Sequence, residues 1–376
     1  MWKPETIAAQ AGGRIDTETA ALVPPIHVAT TFQRDPDNQY RKGYGYGRPD
    51  NATVRHAESV IAALEGGVEG LLFASGMAAA TALFLALPRP IHIVAPKVMY
   101  WALRKWLADD APSLGIDTTF VAADDLAGIE AAIRPGLTRL IWLETPANPL
   151  WTVSDIAGAA RLARAAGVLL AVDSTAATPV LTQPLALGAD VVMHAATKYL
   201  NGHSDVVAGA LVFGIRGDPF ERAAAVRKNL GAVLGPFEAA LLIRGLRTLH
   251  VRVRHQSASA RTIAEHFSAH RRVVDVLYPG LAHNPGYAVA VRQTSGGFGG
   301  MLSIRVAGGE KAAIAAAAKV ALWKRATSLG GVESLIEHRA SIEGPGSPCP
   351  PDLLRLSVGL EDVADLIADL EQALEI

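Results

Sequence analysis

The most constraining feature of this chain is a repeated alternation. Seven short apolar runs lie between residues 71 and 213: Leu71–Phe73, Ile91–Val94, Ile116–Val121, Leu140–Leu143, Val168–Val172, Val191–Met193 and Ala210–Phe213. Helix-like stretches separate several of them, notably Tyr100–Ala108, Asp125–Ile133 and Ser154–Ala166. Short apolar runs bounded by turn residues read as buried strands. Strands that alternate with helices predict a largely parallel sheet covered on both faces. The fold class is therefore α/β, with a mostly parallel seven-stranded sheet.

The flanks break this pattern. Residues 1–52 are rich in Pro, Thr, Gly and Tyr and read as an extended arm. From Thr53, the residues Val54, Ala57, Val60, Ile61 and Leu64 share one helical face, and Gly66-Gly67 ends that helix. After Phe213 the alternation stops. Residues 219–270 look mainly helical, strand candidates return at Val273–Tyr278, Met301–Val306 and Leu353–Val358, and helices are expected over Lys311–Leu322 and Val363–Leu374. We expect an arm over 1–52, a large domain over 53–245 and a smaller α+β domain over 246–376.

Composition excludes several function classes. The 35 basic and 36 acidic side chains nearly cancel, and no basic tract with interleaved aromatics stands out, so a nucleic-acid partner is not expected. No apolar run reaches the length of a membrane span, and the start MWKPETIAAQAGG lacks the apolar region of a secretory signal. A cytoplasmic protein without a membrane partner is the simplest reading. Cys349 is the only cysteine, which excludes an internal disulfide and a cysteine-rich zinc site. His27, His56 and His92 show no metal-ligand spacing, so no metal is expected.

The stretch Val168–Asp205 holds the chemistry. Its first run ends in Asp173; its second leads through His194, Ala195, Ala196 and Thr197 to Lys198. Ligands of such sheets sit beyond the carboxyl ends of the strands. An acid and a lysine delivered there suit pyridoxal 5'-phosphate (PLP): the lysine bonds the aldehyde, and the acid keeps the ring nitrogen protonated. Each has an ordinary explanation alone, as a lysine reaching solvent or a turn acid before Ser174 and Thr175. Ser75-Gly76-Met77 opens an alanine-rich helix and is either a phosphate site or an ordinary serine cap. Arg355, inside the apolar LLRLSVG, requires a partner, which a substrate carboxylate or a protein carboxylate would supply equally well. Tyr44–Arg48 is an aromatic turn of its own domain or something more. His203 is most simply a turn histidine satisfied by its neighbours.

These residues carry a resemblance. PPIHVATTF, YGYGRPDNAT, LEGG, ASGM, ETPANPL, the whole of VDSTAATPVLTQPLALGADVVMHAATKYLNGHSD, LLIRGLRTL, YPGL, SLGGVESLIEH and LLRLSVGLED occur in one order along nearly the whole chain. The chain resembles the Cys/Met-metabolism (trans-sulfuration) family of PLP enzymes, of aminotransferase-like fold type I. The resemblance implies that Lys198 bonds the cofactor and acts as acid/base, and that Asp173 partners the ring nitrogen. It implies phosphate contacts from Gly76, Met77 and Thr197, and from Tyr46 and Arg48 of a neighbouring subunit. Tyr100 matches the tyrosine that stacks on the ring and aids catalysis. Asn148, Ser328 and Arg355 match positions around the ring oxygen and the substrate carboxylate. A homotetramer built from catalytic dimers is implied as well.

The departures bear on the substrate. Ala195 replaces a usual serine, removing one neutral hydrogen bond worth about 1 kcal/mol. Ser174 stands for an asparagine, Trp101 for a glycine beside the pocket, and Thr327 for a glutamate found in many cystathionine-handling members. HRASIEG replaces the usual HPA-then-Thr-His pattern. The implied activity is elimination or replacement on sulfur-containing or O-activated homoserine amino acids, of cystathionine γ-synthase or γ-lyase type. Cystathionine β-lyase, methionine γ-lyase and homoserine-ester sulfhydrylase are alternatives. A non-catalytic binding protein of the same fold is the reading from another class; intact Lys198, Asp173, Tyr100 and Arg355 argue against it.

Overall fold

The computed structural model describes residues 2–344 and 346–375. Met1, which falls in the expected arm, and Pro345 and Ile376, which fall in the expected smaller domain, lie outside them.

The seven expected runs all become strands of one sheet: β1 (Glu69–Phe73), β2 (Ile91–Pro96), β3 (Ile116–Val121), β4 (Thr138–Glu144), β5 (Leu169–Asp173), β6 (Val191–His194) and β7 (Gly209–Phe213). Their spatial order is β1-β7-β6-β5-β4-β2-β3. Only β7 runs against the others, being antiparallel to both β1 and β6. The central strands β2, β4, β5 and β6 are buried along almost their whole length, because helices cover both faces. On one face Phe84 meets Trp142 edge to face, with ring centroids 5.1 Å apart.

The helix Ala52–Glu65 starts and stops as its sequence directs. Asn51 caps it by accepting the N–H groups of Thr53 and Val54, and Gly66 ends it in the left-handed conformation at φ 71°. Residues Pro4–Ala9 form a helix where the sequence reading has an extended arm. Ala8 and Ala11 are buried against Ala57 and Val60, so apolar contact with the next helix overrides the weak local signal.

A second sheet follows, with β8 (Val273–Leu277), β9 (Met301–Val306), β10 (Lys324–Arg325), β11 (Leu335–His338) and β12 (Leu353–Ser357) in the order β10-β11-β12-β9-β8. Strands β10 and β11, and the helices Tyr287–Gln293 and Arg339–Glu343, are not anticipated from the sequence. All are short and lack a sustained apolar period. The second sheet is tied to the loop that follows β4: Trp151 Nε1 donates to Ser303 Oγ (2.8 Å), which donates to the carbonyl of Pro149 (2.8 Å). No helix among the described residues is long and apolar enough to cross a membrane.

The close approach of β7 to the turn after β1 decides where the next helix begins. A Cβ on Gly209 would lie 2.1 Å from the Ser75 carbonyl oxygen and 2.9 Å from Ala79 Cβ. Gly209→Ala should therefore push the Ser75 turn outward and destabilise the protein by about 1–3 kcal/mol, as overpacked positions do. Urea unfolding measures this; an unchanged midpoint would show that the turn yields freely.

Candidate active site

The carboxyl ends of the co-directional strands open into one cavity of about 250 Å³. Strand β1 leads to Ser75, Gly76 and Met77; β2 to Tyr100; β4 to Glu144 and Asn148; β5 to Asp173; and β6 to Ala195, Thr197 and Lys198, all lining it. The topology thus brings together residues that are up to 123 positions apart (198 − 75).

Asp173 is a buried acid of the pocket. Its Oδ1 accepts the Thr175 amide (3.0 Å) and the Thr175 hydroxyl. No described residue donates to Oδ2. Burial raises its pKa, against the pull of the Thr175 bonds. Thr175 in turn accepts the Ala195 amide at 2.8 Å, tying the ends of β5 and β6 together. Glu144 sits opposite Asp173 in the strand register. Its two oxygens accept the backbone N–H groups of Tyr100 (2.6 Å) and Asn148 (2.9 Å). Burial, then the charge of Asp173, pushes Glu144 up to about 8.

Lys198 Nζ donates to Ser328 Oγ at 2.9 Å. Burial, then the neighbouring Arg355 charge, lowers the amine to about 8. Ser328 holds a strained backbone at φ 147°, and its carbonyl accepts from Arg355 Nη2 at 2.8 Å. Arg355 also donates to Asn148 Oδ1 (3.1 Å) and to Glu337 Oε2 (2.6 Å), so its charge has a protein partner. Burial pulls its pKa down to about 10, Glu337 opposing. Lys198, Ser328, Arg355 and Asn148 are therefore one connected set.

The helix Gly76–Ala86 points its N-terminus into the cavity. Ser75 Oγ accepts the Ala78 amide (3.0 Å), and the amides of Gly76 and Met77 have no acceptor among the described residues. Such amides, with the helix dipole behind them, suit a phosphate. Ala195 closes this corner, 2.9 Å from where a Cβ on Gly76 would stand. The Thr197 hydroxyl is engaged with Ala208 in both directions, donating to its carbonyl and accepting its amide. An amide pair for a phosphate, a buried carboxylate oxygen for a ring nitrogen and an amine for an aldehyde fit PLP.

Several expected residues lie elsewhere. Tyr46 and Arg48 do not line the cavity; Arg48 donates to the carbonyl of Lys228 on its own chain (2.7 Å), and Tyr46 is exposed. Trp101 lies outside it too, under the Arg104 guanidinium. Thr327 donates to Glu337. His203 is bonded to the Asn201 carbonyl. Sequence reasoning missed Glu144, Thr175 and Glu337. Glu144 carried the signal that singled out Asp173, an acid straight after a buried run; Glu337 carried none.

The chain matches the model of the Cys/Met metabolism PLP-dependent enzyme family over residues 5–375. It is 45% identical to a cystathionine γ-synthase of Mycobacterium tuberculosis, over 99% of this chain and 96% of that protein. It is 39% identical to a cystathionine γ-lyase of Bacillus subtilis, over 99% of each. The solved structure of a cystathionine γ-synthase from Xanthomonas oryzae pv. oryzae, in complex with aminoacrylate and cysteine, superposes with a TM-score of 0.94. It is 36% identical, with 100% of this chain and 98% of that one covered. The chain belongs to this family and is a PLP-dependent enzyme.

Only the unprotonated amine attacks a carbonyl, so a lowered pKa moves reactivity toward neutral pH. In the cofactor-free protein, capture of a small aldehyde by Lys198 should rise with pH around a midpoint of about 8. Borohydride trapping and mass spectrometry read this; a midpoint at the 10.5 of an ordinary lysine would mean that the pocket does not tune it.

Proposed function

We propose that this enzyme carries out elimination or replacement at the γ-carbon of a sulfur-containing or O-activated homoserine amino acid, as a cystathionine γ-synthase or γ-lyase does. The observation that carries the reading is similarity over 99% of the chain to relatives of both names.

In this reading Lys198 bonds the cofactor, Asp173 partners its ring nitrogen, Tyr100 flanks the ring with Asn148 beside its oxygen, and Gly76 and Met77 receive its phosphate, joined by Thr197 when its hydroxyl turns from the Ala208 carbonyl. When bound, the cofactor supplies an electron sink for negative charge at the substrate α-carbon. Arg355, Asn148 and Ser328 receive the α-carboxylate, the guanidinium giving a charge-assisted hydrogen bond from the N–H groups that its protein partners leave over. Lys198, with its lowered pKa, removes the α-proton and carries protons between α- and β-carbons. The Tyr100 phenol, 45% exposed, gives or takes the proton of the departing group. Glu144 holds Tyr100 and Asn148 by their amides, so both flanks of the site answer to one carboxylate.

A small-thiol sulfhydrylase is the second reading. Thr327 is bonded to Glu337, and the cavity walls are chiefly apolar, with Met77, Leu103, Pro146, Val207 and Leu329. Neither feature offers a grip on the distal ammonium of cystathionine.

Tyr46 and Arg48 serve the neighbouring subunit in a homotetramer of catalytic dimers in the cytoplasm. The division into an arm over 1–52 and units over 53–245 and 246–376 belongs to the same proposal. Exposed apolar side chains support association: Leu22, Val23, Ile26 and Val28 on the arm, with Phe237 and Leu241 on the helix Pro236–Leu246.

Two experiments test these points. A panel of cystathionine, methionine and O-acylhomoserines with cysteine or sulfide should give γ-products from at least one substrate, and Lys198→Ala should abolish both turnover and the visible absorbance of the bound cofactor. Products of β-elimination alone would sink the γ reading. Mixing inactive Lys198→Ala with inactive Arg48→Ala subunits should restore about a quarter of activity if sites are shared in random dimers; no recovery in mixed oligomers would sink the shared site.

A further inference from the structure

Behind Arg355 lies a buried charge network that the reaction does not itself use. Glu337 faces Arg355 across the β11–β12 pair. Its Oε2 accepts from two guanidinium groups at once, Arg355 Nη2 at 2.6 Å and Arg339 Nη1 at 2.9 Å. Its Oε1 accepts the Thr327 hydroxyl. Arg339 turns its other edge to Glu343 Oε1, through Nε (3.2 Å) and Nη2 (2.8 Å), and Glu343 Oε2 takes the Ser347 hydroxyl. Arg339, Glu337, Glu343 and Arg355 are all buried. Burial alone would lower Arg339, yet its two carboxylates outweigh it and raise it.

The geometry around Glu337 is unusual for a single acid facing an arginine. Left to themselves, a carboxylate and a guanidinium favour two parallel hydrogen bonds. Here Arg355 gives only one to Glu337, because Thr327 holds the other oxygen and Arg339 shares the first. Of the five N–H groups of Arg355, three go to Asn148, Ser328 and Glu337. The Nε–H and one Nη1–H have no acceptor among the described residues.

We propose that Arg339 is a positioning residue for the carboxylate clamp. By sharing Glu337 and anchoring to Glu343, it prevents Glu337 from closing both oxygens onto Arg355, and so keeps part of Arg355 open to the substrate α-carboxylate. The proposal rests on the reading of Arg355 as that clamp. It explains why an arginine is buried so deep without entering the pocket.

The test uses the PLP-loaded enzyme and two unreactive competitors, norvaline and its primary amide. The ratio of their inhibition constants measures the preference for a carboxylate, and a purely structural defect would weaken both alike. The double variant Arg339→Met/Glu343→Gln removes one positive and one negative charge together. It should lose about tenfold of the carboxylate preference, the scale of one charge-assisted hydrogen bond. KM for the amino-acid substrate should rise in step, and kcat should stay within about twofold. Arg339→Lys, which still reaches one carboxylate, should retain most of the preference. A folded, fully loaded double variant with unchanged preference overturns the role of Arg339. If that variant does not fold, Thr327→Val at the exposed end of the network decides instead: the preference should drop several-fold, and an unchanged ratio overturns the proposal. Arg355→Gln separates the two readings. A preference lost there but kept in the Arg339 variants sinks only Arg339, whereas one kept in all of them sinks the clamp as well.

Discussion

Two carboxylates side by side at the ends of parallel strands set the terms for the whole site. Glu144 and Asp173 are strand partners, and both are buried away from bulk water. A buried acid must gain donors or a proton. Glu144 gains two backbone amides, which fixes the loops that carry Tyr100 and Asn148. Asp173 gains Thr175 on one oxygen and keeps the other facing the cavity. The burial that makes this pair costly also leaves one carboxylate oxygen without a donor among the described residues.

Much of this was legible in the sequence, and the parts that were not have a common cause. Each strand of the large sheet announced itself as an apolar run, and the strand-end acid and lysine followed from position alone. Gly66 marked a helix end through local chemistry. By contrast, Glu337 meets Arg355 only because β11 pairs with β12, and β11 is four residues long. Sequence left Arg355 with two possible partners, a ligand or a protein carboxylate. The structure supplies the second and leaves donors for the first. Trp101 was expected beside the pocket because it follows Tyr100, but the helix that starts there turns it toward Arg104.

The departures from the family pattern also look different once placed. Ala195 opens no gap, since it packs against the Gly76 turn. Thr327 and Arg339, twelve positions apart (339 − 327), end on the same carboxylate. They are better regarded as one change in the setting of Glu337 than as two independent ones.

The link from Trp151 through Ser303 to the Pro149 carbonyl has a further consequence. Ser303 is the strand neighbour of Arg355, and Pro149 follows Asn148 directly. Arg355 and Asn148 are therefore fastened together from behind, by a contact between the second sheet and the loop that follows β4. Any sliding of one sheet on the other must carry arginine and amide as a unit or break buried bonds to separate them. Their ordering is completed when the chain folds and is not left to an arriving ligand.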